Sequence, residues 1–286
     1  MHRDLLKRIE REMSTFSKGQ KAIATFILEN YDKAAYMTAA AMGKQVGVSE
    51  STVVRFATEL GFGGYPALQR ALGEIVRINL NSIQRVQLTN SIIGQGDIIS
   101  KVFASDAEKL RETLDEIDRG AFERSVDKLL SAKNIYIIGA RSSAFLAGFL
   151  DYNLSMIFNN VRLVQTGSGV EIFEKLFRVG EGDVVFAISF PRYSSRVVNA
   201  VKFARNKGAD VIAMTDGIGS PIAENVTECL IAKSDMVSFV DSLTAPLSII
   251  NAILVAIMRK KETEFSEKLL QLEEIWEEYD VYDKNR

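Results

Sequence analysis

Along residues 1–77 the apolar positions recur every three or four residues and nowhere alternate, the pattern of helices buried along one stripe. Asp4–Met13 predicts an amphipathic helix, with Leu5, Leu6 and Ile9 set among charges. Ser17–Asn30 predicts a second, with Ile23, Phe26 and Ile27 inward, and three shorter segments follow. Residues 78–96 (NLNSIQRVQLTNSIIGQGD) are polar and weakly periodic and predict a linker. Asp97–Ile117 and Ala121–Leu130 read as helices again. From Asn134 short apolar runs take over: Ile135–Ile138, Val161–Val164, Val184–Ile188, Val211–Met214 and Cys229–Ile231. Between most of them lie helical stretches, Ser143–Phe158, Val170–Phe177 and Ser194–Asn206. This alternation predicts a parallel sheet covered by helices on both faces. Val240–Lys260 and Glu264–Tyr279 predict closing helices. The expected organisation is an all-α unit over 1–77, a linker over 78–96 and an α/β unit over 97–286.

Within the helical unit, TAAAMGKQVGVSESTVVRFATELGF (38–62) has helix-turn-helix form. Thr38 and Ser49 are the N-caps expected for its two helices. Gly43 lets the helices approach, and Gly47 suits a turn with positive φ. Met42, Val48, Val53, Phe56 and Leu60 are expected to face the core. Lys44 and Gln45 on the first helix, with Ser49, Ser51, Thr52 and Arg55 at the start of the second, are the candidate DNA contacts. Hydroxyls suit phosphate oxygens, and an arginine forks onto guanine. A helical hairpin in an ordinary bundle, with Ser49 as nothing more than a cap, is the competing reading.

A parallel sheet binds ligands beyond the carboxyl ends of its strands. Two such ends carry polar turns. One is Gly139-Ala140-Arg141-Ser142-Ser143, and the other runs from Ser189 through Phe190-Pro191-Arg192-Tyr193 to Ser194 and Ser195. Each precedes a predicted helix, whose N-terminus favours phosphate or carboxylate. Gly139, Arg141, Ser142, Ser143, Ser189, Arg192, Ser194 and Ser195 are therefore the candidate ligand contacts. Helix capping alone is the alternative. For Arg141 and Arg192 a second alternative is an outward position or an ion pair with an acid such as Glu171.

Composition narrows the chemistry. The chain is 47% hydrophobic and 25% charged, ordinary for a soluble protein, and its longest apolar runs, such as Ala252–Met258, are too short for a membrane helix. Nothing in Met1–Met13 reads as a signal peptide, so a cytoplasmic location is expected. A single cysteine, Cys229, excludes an internal disulfide and any multi-cysteine metal site. The only histidine is His2, which weakens mechanisms needing an internal imidazole base. No cofactor or metal is expected. The net charge of −2 is uneven: residues 1–77 hold 11 Lys/Arg against 8 Asp/Glu, and the rest 24 against 29. An acidic chain can still present a basic face to nucleic acid.

VSESTVVRFATELGFGGYPALQRAL resembles the N-terminal domain of RpiR-family bacterial transcriptional regulators, on Val48, Ser49, Thr52, Val53, Arg55, Phe56, Leu60, Gly61, Phe62, Gly64 and Tyr65. Gly43 stands where that family usually has Ala. The family joins such a domain to a sugar isomerase (SIS) domain, so the resemblance covers nearly the whole chain. SIS domains bind phosphosugars through a Gly-x-Gly-x-Ser turn and a Ser-x-Ser-Gly-x-Thr turn. Gly139 and Ser143 match the first, with Arg141 in place of its second glycine; Ser189 and Ser194 match the second, with Pro191 and Arg192 in place of its Ser-Gly. FVDSLTAPLSIINAIL (239–254) resembles the closing helix of regulatory SIS domains. The resemblance implies a regulator that binds double-stranded operator DNA and responds to a small anionic effector, a phosphosugar or sugar acid. A homodimer or higher homo-oligomer is expected, because a two-fold protein matches a palindromic operator. The alternative is a phosphosugar isomerase, with Glu171 or Glu174 as a lone base. A dinucleotide site fits poorly, since Gly139–Ala144 lacks the second and third glycines.

Overall fold

The computed structural model describes residues 5–79, 83, 97–164, 167, 169–234 and 241–282. The chain divides into two compact units, Met1–Arg85 and Val86–Arg286. The division falls inside the stretch predicted as a linker, most of which (80–82 and 84–96) lies outside the described residues.

The described part of the first unit is helical: α1 Leu5–Glu12, α2 Lys18–Ala34, α3 Ala39–Val46, α4 Glu50–Glu59 and α5 Tyr65–Asn79. Ser17 starts α2 with a reciprocal capping box, its side chain and backbone both bonded to Gln20. Asn30, where the predicted helix ended, leaves helical geometry (φ −141°, ψ 42°), but helical turns resume as far as Ala34. Ile9, Ile23, Ile27, Met42, Val53, Phe56, Leu60, Leu68 and Leu72 form the core, and Phe16 meets Phe56 edge to face at 5.2 Å. Phe26 and Val48, expected inside, are only half-buried. Tyr65 ties the start of α5 to the α2–α3 junction: its hydroxyl donates to the Met37 carbonyl (2.8 Å), and burial pushes the phenol up to about 12.

The second unit is a three-layer sandwich. Its elements are α6 Ile98–Glu116, α7 Arg119–Ser131, β1 Ile135–Gly139, α8 Ser143–Ile157, β2 Val161–Val164, α9 Gly169–Leu176, β3 Val184–Ile188, α10 Ser195–Asn206, β4 Asp210–Thr215, β5 Glu228–Ile231, α11 Thr244–Lys260 and α12 Glu262–Glu278. A short 3-10 turn, Ala223–Asn225, precedes β5. All five strands are parallel, in the order β2-β1-β3-β4-β5. β1 and β3 are buried on both faces, which is why they read as unbroken apolar runs. Side chains alternate between two cores. Ile135, Ile137, Phe186 and Met214 pack with α7, α8 and α11, while Tyr136, Ile138, Val185 and Val211 pack with α9 and α10.

β4 and β5 extend past their predicted starts to Asp210 and Glu228. Helix α7 neutralises both carboxylates there. Lys128 pairs with Asp210 at 3.0 Å, and Arg124 forks onto Glu228 with two bonds of 2.9 Å. α11 begins at Thr244 rather than Val240; residues 235–240 lie outside the described residues, and Asp241–Leu243 are not helical.

Candidate functional site

In the first unit, Thr38 caps α3 by accepting from Ala41 N (3.2 Å), and Gly47 closes the helix at φ +73°. A Cβ on Gly43 would lie 2.7 Å from the Val48 carbonyl oxygen, so its glycine permits the tight approach of α3 to the turn. Ser49 accepts from Thr52 N (3.3 Å), and its hydroxyl also meets those of Ser51 (2.9 Å) and Thr52 (2.8 Å). Ser49 is thus a genuine cap, and Thr52 is half-buried. Lys44, Gln45, Ser51 and Arg55 are exposed. Ser51 and Arg55, four residues apart, share a face of α4. Arg55 has no ion-pair partner among the described residues. Sequence reasoning missed one cation. A Cβ on Gly19 would touch Val48 Cγ1 (3.3 Å) and Thr52 Cγ2 (3.5 Å), so the first turn of α2, with exposed Lys18, lies beside the start of α4. That proximity depends on packing between helices and has no local signature.

In the second unit, β1 leads to its neighbour β2 on one side, while β3, β4 and β5 follow on the other. The direction of winding therefore reverses between β1 and β3, and the loops after these strands diverge to leave a crevice. Gly139 and Ile188, the last residues of the two strands, are register partners. Both predicted polar turns thus start side by side at the switch point.

The first turn is tight. A Cβ on Gly139 would come within 2.4 Å of the Ser143 carbonyl oxygen, which makes glycine obligatory for the approach of α8. Arg141 occupies the left-handed region (φ +58°), the conformation its replaced glycine would adopt freely. The amides of Ser143, Ala144 and Phe145 already bond to the carbonyls of Ala140, Arg141 and Ser142 (3.2, 3.0 and 3.2 Å). These three amides are therefore not free to meet a ligand. In the second turn, Pro191 is buried and contributes no N–H. Arg141, Arg192, Ser142 and Ser195 are exposed, and Ser194 is half-buried.

Helix capping does not account for these serines. Ser142 before α8 and Ser194 before α10 make no side-chain cap, whereas Ser17, Thr38, Ser49, Asp97 and Asp118 all cap their helices. Ser143 and Ser189 are each 3% exposed, and neither hydroxyl is hydrogen-bonded among the described residues. Nor is Arg141 or Arg192 ion-paired among them. The ion pair with Glu171 offered as an alternative is not formed, and both arginines are exposed, as the outward alternative has them. Two near-buried hydroxyls and two cations thus collect around two uncapped helix N-termini, an arrangement that attracts anions.

Asp216 also belongs to this end of the sheet and was not anticipated. Its Oδ1 accepts from the Tyr193 hydroxyl (2.8 Å) and from Thr215 Oγ1 (3.2 Å), which fastens the second turn to the end of β4. Tyr193 and Asp216 are 23 residues apart, so only the fold reveals the pair.

A helix-turn-helix unit on the same chain as a parallel α/β unit with an anion-suited switch point defines a two-part architecture, one part shaped for DNA and the other for a small molecule. Comparison with known proteins narrows this class. The family model for the helix-turn-helix domain of the rpiR family matches residues 3–76, and the SIS domain model matches residues 128–256. The first unit thus matches a helix-turn-helix domain of rpiR type and the second a SIS domain, in that order along the chain. The chain is 26% identical to the HTH-type transcriptional regulator HexR of Escherichia coli, over 96% of this chain and 95% of that protein. It is 24% identical to HexR of Pseudomonas aeruginosa, over 95% of each. Among solved structures, the Vibrio vulnificus NanR protein complexed with ManNAc-6P shares the fold, at 24% identity and a TM-score of 0.59 over 95% of this chain and 97% of that one. Among the described residues, no helix is long and apolar enough to cross a membrane.

Proposed function

We propose that this chain is a DNA-binding transcription regulator whose SIS unit senses a small anionic metabolite, a phosphosugar or sugar acid. The observation that carries the reading is the coexistence of an exposed, ion-pair-free Arg55 on α4 with uncapped helix N-termini at the switch point of the sheet. In this reading α4 enters the major groove. Arg55 and Ser51 meet base edges or phosphate there, and Lys44, Gln45 and Thr52 support them; Ser49 acts through its cap. Ser143 and Ser189 would hydrogen-bond the effector, with Gly139 keeping α8 close, and Ser142, Ser194 and Ser195 would offer further hydroxyls. Arg141 and Arg192 would supply the charge that the missing backbone donors do not. Support for the effector class comes from the NanR relative, solved with a phosphosugar. The named regulators among the curated relatives favour transcription control.

An isomerase is the weaker reading. Among the described residues of the two turns and the β4 end, the titratable side chains are Arg141, Arg192, Tyr193 and Asp216. The one carboxylate there, Asp216, accepts from Tyr193 and Thr215, and the lone bases that reading would use, Glu171 and Glu174, belong to α9 rather than to either turn. A homodimer acting at a palindromic site completes the proposal. Arg55→Ala tests the DNA half. Specific binding is expected to weaken by about 1–3 kcal/mol with the fold intact. A gel-shift titration with wild-type affinity would remove α4 as the reader.

A further inference from the structure

A cavity with charged residues in its lining lies on the sheet, away from the crevice. It measures about 360 Å³ and lies on the face of the sheet covered by α9, where Tyr136 of β1, Arg162 of β2, and Lys175, Arg178 and Phe177 at the end of α9 surround it. Tyr136 and Arg162 are register partners, so their side chains emerge together. The arginine lies over the tyrosine ring, 5.5 Å from its centre. Tyr136 is three residues before Gly139, so the cavity sits ~10 Å down the strands from the switch point.

Two features suit it to a ligand. Tyr136 is 1% exposed, yet its hydroxyl makes no hydrogen bond among the described residues. The ring is buried but the hydroxyl is not sealed from solvent, so it is free to donate to a molecule entering the cavity. Burial raises the Tyr136 phenol above its ordinary value, and Arg162 offsets part of the rise, which leaves the hydroxyl protonated and able to donate. The second feature is charge. Arg162, Lys175 and Arg178 carry no ion pair among the described residues, and the only acid lining the cavity is Glu174. One cation at the end of α9 would complement the helix dipole. Three around one cavity, against one carboxylate, leave a charge of about +2, and Phe177 offers an apolar wall.

We infer that this cavity is a second ligand site, distinct from the switch-point crevice, and that it takes a dianionic small molecule with an apolar body, a phosphate monoester or a dicarboxylate. The phenol donates to the anionic head, the two arginines and Lys175 balance its charge, and Phe177 covers the body. The site stands independently of the role proposed for the crevice, because none of its residues lies in either turn.

Calorimetric titration of the full-length protein tests it, with phenyl phosphate as one probe and succinate as the other. Wild type is expected to bind at least one of them in this cavity, more weakly as salt rises. Arg162→Gln combined with Arg178→Gln should abolish that binding, and Tyr136→Phe should weaken it roughly tenfold or more without changing the melting curve. Ser143→Ala combined with Arg192→Ala, which disables the crevice, should leave it intact. The tighter of the two probes identifies the head group. Titrations of the cavity variants that match wild type would overturn the inference, as would loss of all binding in the crevice variant or failure of both probes to bind wild type.

Discussion

Arg141 is an arginine in a glycine's conformation. A non-glycine residue at φ +58° costs about 1 kcal/mol, and the Arg141 side chain is exposed. The strain is consistent with a functional role for its exposed guanidinium. Arg141→Gly is therefore expected to raise the stability of the α/β unit by about 1 kcal/mol while weakening affinity for the anionic effector, opposite signs readable by thermal melting and calorimetry. Cys229 illustrates the reverse case, a reactive group held inert. Burial, with a contribution from the Asp216 carboxylate, pushes its thiol up to about 11. The thiolate fraction at neutral pH is then ~100-fold below that of a thiol with the ordinary value. Labelling by a thiol reagent should be correspondingly slow in the native protein and rise to the ordinary rate in denaturant.

The elements that matter most are the strand–helix junctions at β1–α8 and β3–α10. Gly139 is the narrowest point, and Gly139→Ala would force α8 away from the sheet. A loss of about 1–3 kcal/mol is expected, measured by urea unfolding followed through the helical signal. The strands were legible in the sequence because burial on both faces leaves uninterrupted apolar runs, as at Val184–Ile188. The ends of β4 and β5 were less so, because Asp210 and Glu228 read as terminators until Lys128 and Arg124 of α7 neutralise them. The crevice turns were visible because each is one contiguous segment. Asp216 at that site and the Tyr136–Arg162 pair beneath α9 were not, since both arise from residues brought together across strands. The backbone hydrogen bonding of the first turn was not legible either. Whether the amides of Ser143–Phe145 are free depends on turn geometry that residue types do not reveal.

For the molecule as a whole, the proposal joins a DNA-reading helix in one unit to an anion crevice in the other. Coupling requires that the effector bind the DNA-competent and DNA-incompetent states with different affinity. Linkage then makes operator DNA and effector alter each other's binding by the same factor, typically ~5–150-fold. The most direct test is a fluorescence-anisotropy titration of a DNA fragment selected for binding by the wild-type protein, repeated across a panel of sugar phosphates and sugar acids. At least one compound is expected to shift the wild-type operator affinity by about fivefold or more, and the same compound should leave Ser143→Ala and Arg192→Ala unresponsive while each still binds DNA. A shift of equal size in both variants, or no shift in wild type from any member of the panel, would contradict the account.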